Sequence, residues 1–397
     1  MYSGYLNSFY AKNSEILKMP YEEHLNYLLE DSTEFVGSYI RNFRKLGIDA
    51  RCIIANDNIL QKKWSTENVL NHKSGNEILF EQVKLYDPDI LWIENLSLIS
   101  FDWLTHIKNN LKNIKLFVGY HCAPFNKKVL DSLRGIDIMI TCTPGLKSEF
   151  EKTGKKSFLV YHGFDKDILS RITQENLIIK NDFIFSGSLI SGGDFHSKRI
   201  KLIERIIKEN INIQLYVDLE KDYKIRAKQS VFLLNRLLTK MKMGNLISNN
   251  TILGYGKSWV NSYSDTLKRL NCQPVYGIEM LDLFRESRIV LNYHIGVAGE
   301  YAGNMRMFEV TGVGSCLLTD NKKNMNDLFD TEREVVVYDG EDDCIAKVNW
   351  LLEHEEERKK IASAGNQKTL SSHTVENRCR LLIEILNAEL KNNRQGR

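Results

Sequence analysis

The sequence predicts an α/β protein made of two doubly wound parallel-sheet domains that face each other across a cleft. Three observations predict it. The chain has 397 residues, too many for one ordinary core. Short apolar runs with little polar alternation recur along it, as strands covered on both faces do. Stretches of helical period separate these runs, and strands alternating with helices build parallel sheets.

Taken in chain order, the first strand candidates are 51–55, 89–93, 115–119, 136–140 and 157–161. The second set is 183–185, 213–217, 288–291, 316–318 and 334–338. Two sets of five predict an amino-terminal domain over residues 1–175 and a carboxyl-terminal domain over 176–374. The boundary falls near 170–181, where "SRITQENLIIKND" turns polar. Residues 220–247 break the strand–helix rhythm and read as a helical insertion. Ser371-Ser372-His373-Thr374 offers N-cap residues to a last helix, about 375–397, that packs back on the amino-terminal domain.

Composition narrows the classes. Hydrophobic content is 43% and net charge is +3, so a nucleic-acid partner is not expected. No run of eighteen apolar residues occurs, and the start has no secretory pattern. The seven cysteines are scattered without metal-ligand or redox spacing. They predict reduced thiols in a cytoplasmic protein and no zinc site.

In open parallel sheets, ligands bind beyond the carboxyl ends of strands. Those ends carry Glu94-Asn95, His121, Thr141, His162-Gly163, Ser186-Gly187-Ser188, Asp218, Asn292-Tyr293-His294 and Thr319-Asp320. In "NMRMFEVTGVGSCLLTD", a helix starting at Asn304 points free N–H groups into the cleft, where they could hold phosphate. Glu309 lies one turn in and could accept hydrogen bonds from two vicinal hydroxyls. Arg306 could fork onto phosphate oxygens. The plainer alternative is an Arg306–Glu309 pair at i, i+3 on a wet face. In "FIFSGSLISGGDFHSKR", Gly187 and Ser188 suggest a turn that admits phosphate to the backbone. His196, Lys198 and Arg199 open the next helix beside it. His121 and Glu94 are the candidate general bases, and His162 reads as hinge architecture. Asp87 and Asp89 in "YDPDIL" precede a strand and so lie away from the cleft; no metal is expected there. In the insertion, Val231, Leu234, Leu238 and Met241 follow helical spacing among basic residues. That pattern suits either packing on its own domain or contact with an anionic membrane.

The 304–320 segment resembles the donor-binding segment of the CgeB-like branch of group 1 glycosyl transferases. The likeness continues through 332–378 and 276–294, and residues 136–169 are similar to the last strand–helix–strand unit of the family's first domain. Many relatives carry two glutamates with seven residues between them. Here the first position is Tyr301, and Glu300 misses it by one; the CgeB-like branch often lacks that glutamate.

The resemblance implies a GT-B fold with two Rossmann-like domains, a UDP- or GDP-sugar donor, and a hydroxyl acceptor on a glycan, lipid or protein. It implies retention of configuration; no metal and no cofactor are expected, since arginine, lysine and a helix terminus could offset the leaving charge. Gly187, Ser188, His196, Arg199, Asn304, Arg306 and Glu309 become donor-binding residues, and His121, Glu94 and Arg306 catalytic ones. A sugar-nucleotide epimerase and a non-catalytic sugar-nucleotide module remain the alternatives. The expected place is the cytoplasm, with the inner membrane face as a possible contact.

Overall fold

The computed structural model describes residues 1–33, 35–70, 74–123, 126–172, 177–190, 194–241, 259–296 and 299–395. It holds two parallel sheets. The first is β1 (Ile90–Glu94), β2 (Leu116–Tyr120), β3 (Ile138–Thr141) and β4 (Ser157–Leu159), in the order β1-β2-β3-β4. The second contains β5 (Asn181–Leu189), β6 (Gln214–Leu219), β7 (Asn271–Cys272), β8 (Ser287–Asn292), β9 (Cys316–Asp320) and β10 (Val336–Tyr338), in the order β10-β9-β8-β5-β6-β7. Every pairing is parallel. In the second sheet the order reverses beside β5 and β8, which places the carboxyl ends of these two strands at a topological switch point.

Two corrections to the sequence reading follow, since the sheets hold four and six strands. Residues 51–55 are not a strand. Cys52 and Ile54 are buried, but against the amino-terminal helices, with Leu60 and Trp64. An apolar run there finds helices to pack on rather than a strand to pair with. The added strand, β7, spans two residues beside β6. Asn271 tethers it by bonding both the N–H and the carbonyl of Val217. Two polar residues leave no hydrophobic period to read.

The lobes meet where the chain crosses between them. The Phe164 N–H donates to the His373 carbonyl at 2.8 Å, and the Val375 N–H to the Phe164 carbonyl at 2.9 Å. The helix Val375–Gln395 then packs on the first sheet, burying Val375, Cys379 and Leu382 with Val118 and Ile140. Thr374 caps it by accepting from the Asn377 N–H. Gly312 is required at this crossing because a Cβ there would lie 2.3 Å from the buried Phe164 ring. Gly314 has φ +88°, a left-handed turn that ends the Met305–Gly312 helix.

The insertion helix is Asp222–Lys240; its predicted remainder, 242–247, lies outside the described residues, as do 173–176 at the interdomain boundary. Its apolar face differs from the expected one. Val231 and Leu238 are half-buried, whereas Tyr223, Leu233, Leu234, Leu237 and Met241 are exposed. No helix among the described residues is long and apolar enough to cross a membrane.

Candidate donor and acceptor site

The Met305–Gly312 helix begins at Asn304, whose backbone is extended at φ −79° and ψ 153°. The Asn304 side chain does not cap the helix. It exchanges amide hydrogen bonds with Asn292 at the end of β8, at 2.7 and 3.4 Å. Asn292 also donates to Thr319 on β9 at 2.9 Å. The helix start is thereby bolted to the carboxyl edge of the second sheet, and its first N–H groups are held there.

Glu309 is 8% exposed and faces an interlobe pocket with Met305, His162, Ser38, Tyr39 and Asp165. Arg306 donates to its Oε2 at 3.0 Å. The predicted i, i+3 pair therefore forms, but within the protein instead of on a wet face. Arg306 also reaches the Met280 sulfur at 3.0 Å and lies 4.5 Å over the Phe284 ring. Burial raises the carboxyl of Glu309 above its usual range, and the Arg306 charge opposes that.

The segment expected to form a glycine turn is strand instead. Gly187 and Ser188 pair in register with Val217 and Asp218 inside β5. Residues 191–193, which follow it, lie outside the described residues. The Ser188 carbonyl accepts from His196 Nδ1 at 3.1 Å and from Arg199 Nη1 at 3.0 Å. Arg199 Nη2 donates to the Tyr293 carbonyl beyond β8. This one guanidinium spans the ends of β5 and β8, the strands at the switch point. Burial lowers its pKa to about 10. Its Nε makes no hydrogen bond among the described residues.

On the opposing lobe, Glu94 ends β1 and is exposed, while His121 follows β2 and is 4% exposed. The His121 N–H donates to the Ile140 carbonyl, and Thr141 Oγ1 donates to the His121 carbonyl at 2.8 Å. The Pro124-Phe125 segment expected beyond it lies outside the described residues. Cys122 and Cys142, expected as free thiols, form a disulfide that joins the segments after β2 and β3. They are 20 apart in sequence, a spacing without a motif, yet parallel neighbours bring their Cα atoms to 5.8 Å. Their sulfurs and a ring nitrogen of His162 lie within 4.8 Å of one another. Sulfurs joined to each other offer no thiolate to an ion. Asp87 and Asp89 are held by Asn113 and Lys115 at the far end of the sheet.

Sequence reasoning passed over His294 and Asp320 as site residues. His294 Nδ1 and its backbone N–H both lie 2.8 Å from Asp320 Oδ1, and Lys322 is 3.3 Å from Oδ2. Burial would raise the Asp320 carboxyl, but His294 and Lys322 outweigh it and hold it below the usual range. The His294 side chain is fully enclosed, and its Nε2 has no hydrogen-bond partner among the described residues. Such an atom costs about 1–3 kcal/mol while it stays unpaired. Both residues stood at predicted strand ends. The missing signal was the β8–β9 register, Asn292 beside Thr319, which makes their side chains neighbours.

Residues 229–384 match a protein family described as glycosyl transferase-like. Solved structures with a similar fold include Anabaena HepE in complex with UDP and glucose, at 13% identity over 79% of this chain and 82% of that one, TM-score 0.50. Sucrose-phosphate synthase from Thermosynechococcus elongatus matches at 9% identity over 80% and 79%, TM-score 0.50. The N-terminal domain of Candida albicans trehalose-6-phosphate phosphatase matches at 13% over 94% and 81%, TM-score 0.51. No curated protein matches the chain. The fold is thus the GT-B one, and residues 229–384 are similar to the glycosyl transferase-like family.

Proposed function

We propose that the protein transfers a sugar from a nucleotide-diphosphate donor, a UDP- or GDP-sugar, to a hydroxyl acceptor. The observation that carries this reading is the buried Glu309 on a helix whose start is fixed to the switch-point edge of the second sheet. That lobe would take the nucleotide: Glu309 binds the ribose hydroxyls, and the helix start at Asn304 meets the phosphates with Arg306, Arg199 and His196. Gly187 and Ser188 line the floor. HepE, which shares the fold, was crystallised with UDP and glucose, and that supports a UDP-sugar as the first donor to test.

The first lobe would take the acceptor. In a retaining, metal-independent transfer the departing phosphate oxygen receives the acceptor proton, and His121 and Glu94 orient the hydroxyl. Should configuration invert, one of these two must be the base. Arginines and a helix terminus offset the leaving charge without an ion. Incubation with UDP- and GDP-sugars is expected to release nucleoside diphosphate slowly from one donor. Arg306→Ala is expected to lower that release by about tenfold or more, the loss of one charged hydrogen bond. Absence of release with every donor, together with retained binding, would instead favour a non-catalytic module.

The acceptor would be a glycan, lipid-linked or protein hydroxyl, and one surface favours a lipid-linked one. The exposed stripe Tyr223, Leu233, Leu234, Leu237 and Met241 runs along a helix that also bears Lys224, Arg226, Arg236 and Lys240. An apolar face flanked by cations suits the anionic inner face of a membrane. Vesicles containing phosphatidylglycerol are expected to co-sediment the protein, and Leu234→Glu with Leu237→Glu to abolish this. Equal sedimentation of the double variant would remove the membrane from the proposal.

A further inference from the structure

His294 has no part in the reading above, yet its surroundings are specific. The ring is held by Nδ1 against Asp320 Oδ1 at 2.8 Å, and the same oxygen takes the His294 backbone N–H. A carboxylate only accepts, so Nδ1 carries a hydrogen. The ring cannot turn without losing that bond, and Nε2 is left buried with nothing to bond among the described residues. Both Asp320 oxygens and His294 Nδ1 are already bonded, which makes Nε2 a position fitted to a group the protein itself does not supply.

The chemistry of that group follows from its neighbours. Arg199 holds the carbonyl of Tyr293, the residue before His294, and its Nε is likewise without a bond among the described residues. Arg199 is close enough to feel the charges of Asp320 and Arg306. Lys322 lies on the other oxygen of Asp320. Asn304, at the helix start, is tied to Asn292 two residues before His294. Asp320 is the acid of this cluster, and His294 and Lys322 already occupy both its oxygens. Cations and N–H donors are in excess, and a phosphate oxygen is the group that completes them.

We propose that His294 Nε2–H is a direct contact to the diphosphate of the nucleotide sugar, and that Asp320 is its positioning residue. This rests on the donor-lobe reading given above. A phosphate oxygen only accepts, so this contact calls for a hydrogen on Nε2, and the Asp320 carboxylate offsets the charge that the ring then carries. In transfer, the bond from the anomeric carbon to the phosphate oxygen breaks, and a bond to the acceptor oxygen forms. The acceptor proton leaves to the diphosphate or to a base, while His294 keeps its own. Its contribution is a hydrogen bond that strengthens as charge grows on the leaving group.

Calorimetric titration of the full chain with UDP, GDP, uridine and guanosine tests the assignment. Wild type is expected to bind one nucleoside diphosphate. His294→Phe, which keeps the ring shape, is expected to weaken that diphosphate by about tenfold or more while shifting its nucleoside by less than about twofold. His294→Gln should recover part of the loss, and Asp320→Asn should fall between. Diphosphate binding by His294→Phe equal to wild type overturns the inference and leaves the donor reading standing. Should His294→Phe fail to fold, His294→Gln and Asp320→Asn carry the test. An equal loss of diphosphate and nucleoside in them means a structural role and overturns it. Wild type that binds neither diphosphate overturns both the reading and the inference.

Discussion

Glu309→Ala is expected to abolish the preference for a ribose over a 2′-deoxyribose in the donor, and to weaken donor binding by about tenfold to a hundredfold. That range is the loss of hydrogen bonds to a charged group, at about 1.5–3 kcal/mol. The expected effect on the fold is as large. Arg306 is enclosed by Phe284, Met280 and Glu309. Removing the carboxylate strands a buried cation, at a cost of about 3–5 kcal/mol. Two variants separate these effects. Glu309→Gln retains an oxygen for Arg306, so it should lose less stability while still discriminating poorly between the two sugars. Glu309→Gln combined with Arg306→Met removes the charge pair together, which is expected to restore much of the stability and none of the binding. The measurement is the ratio of affinities for UDP and 2′-deoxy-UDP, beside the denaturation midpoint. A ratio unchanged in Glu309→Gln would mean that the carboxylate serves Arg306 and does not meet the ribose.

The double use of Glu309 shows what could be read in the sequence. Nine of the ten strand segments were legible because both faces of these sheets are covered, and a strand such as Ile138–Thr141, buried throughout, leaves a continuous apolar run. The helix around Glu309 was legible from Asn304 at one end and Gly314 at the other. Position along an element carries into space when the element is local. Pairing across strands does not. The Asn292–Thr319 neighbourhood and the Cys122–Cys142 contact both depend on which strands lie side by side. The same is true of Arg199: its place at the start of a helix suggests a phosphate ligand, whereas its two Nη groups hold a carbonyl in β5 and one just beyond β8. Residues 51–55 failed for the converse reason. Alternating burial of Cys52 and Ile54 imitates a strand while the partner is a set of helices.

The interlobe crossing should make the protein acid-sensitive through two of its buried histidines. His373 accepts from Arg378 Nη2 at its Nδ1, at 2.7 Å, and its Nε2–H donates to the Leu328 carbonyl at 2.7 Å. Arg378 only donates, so the ring is neutral in the fold, and a proton on Nδ1 would face a guanidinium. Phe308 and Phe329 flank the ring, each at 5.2 Å. His162 is buried beside the Tyr120 hydroxyl, and its carbonyl accepts from the same Arg378. Burial lowers both rings to about 4, with Arg378 adding to the effect. Each folded pKa is below the unfolded one, so unfolding takes up protons below about pH 6.5. Their contribution is complete above that pH and is lost as pH falls towards 4. A depression of this size corresponds to about 3 kcal/mol for each ring. Asp320 and Glu376 are held below the ordinary carboxylate range and act at lower pH, while the raised Glu309 works in the opposite direction. The denaturation midpoint is therefore expected to drop between pH 6.5 and 4. His373→Gln, which can still donate to Leu328 and does not titrate, should lower the slope in that interval; His24 and His196, also pushed down by burial, add to what remains. A slope unchanged in His373→Gln would place the acid sensitivity elsewhere. Because the Phe164 N–H donates to the His373 carbonyl and the Phe164 carbonyl accepts from Val375 beside these rings, acid should loosen the lobes against each other before either sheet melts. Cleavage by a protease at the crossing ahead of the sheets, at pH 4–5, is the sign of that order.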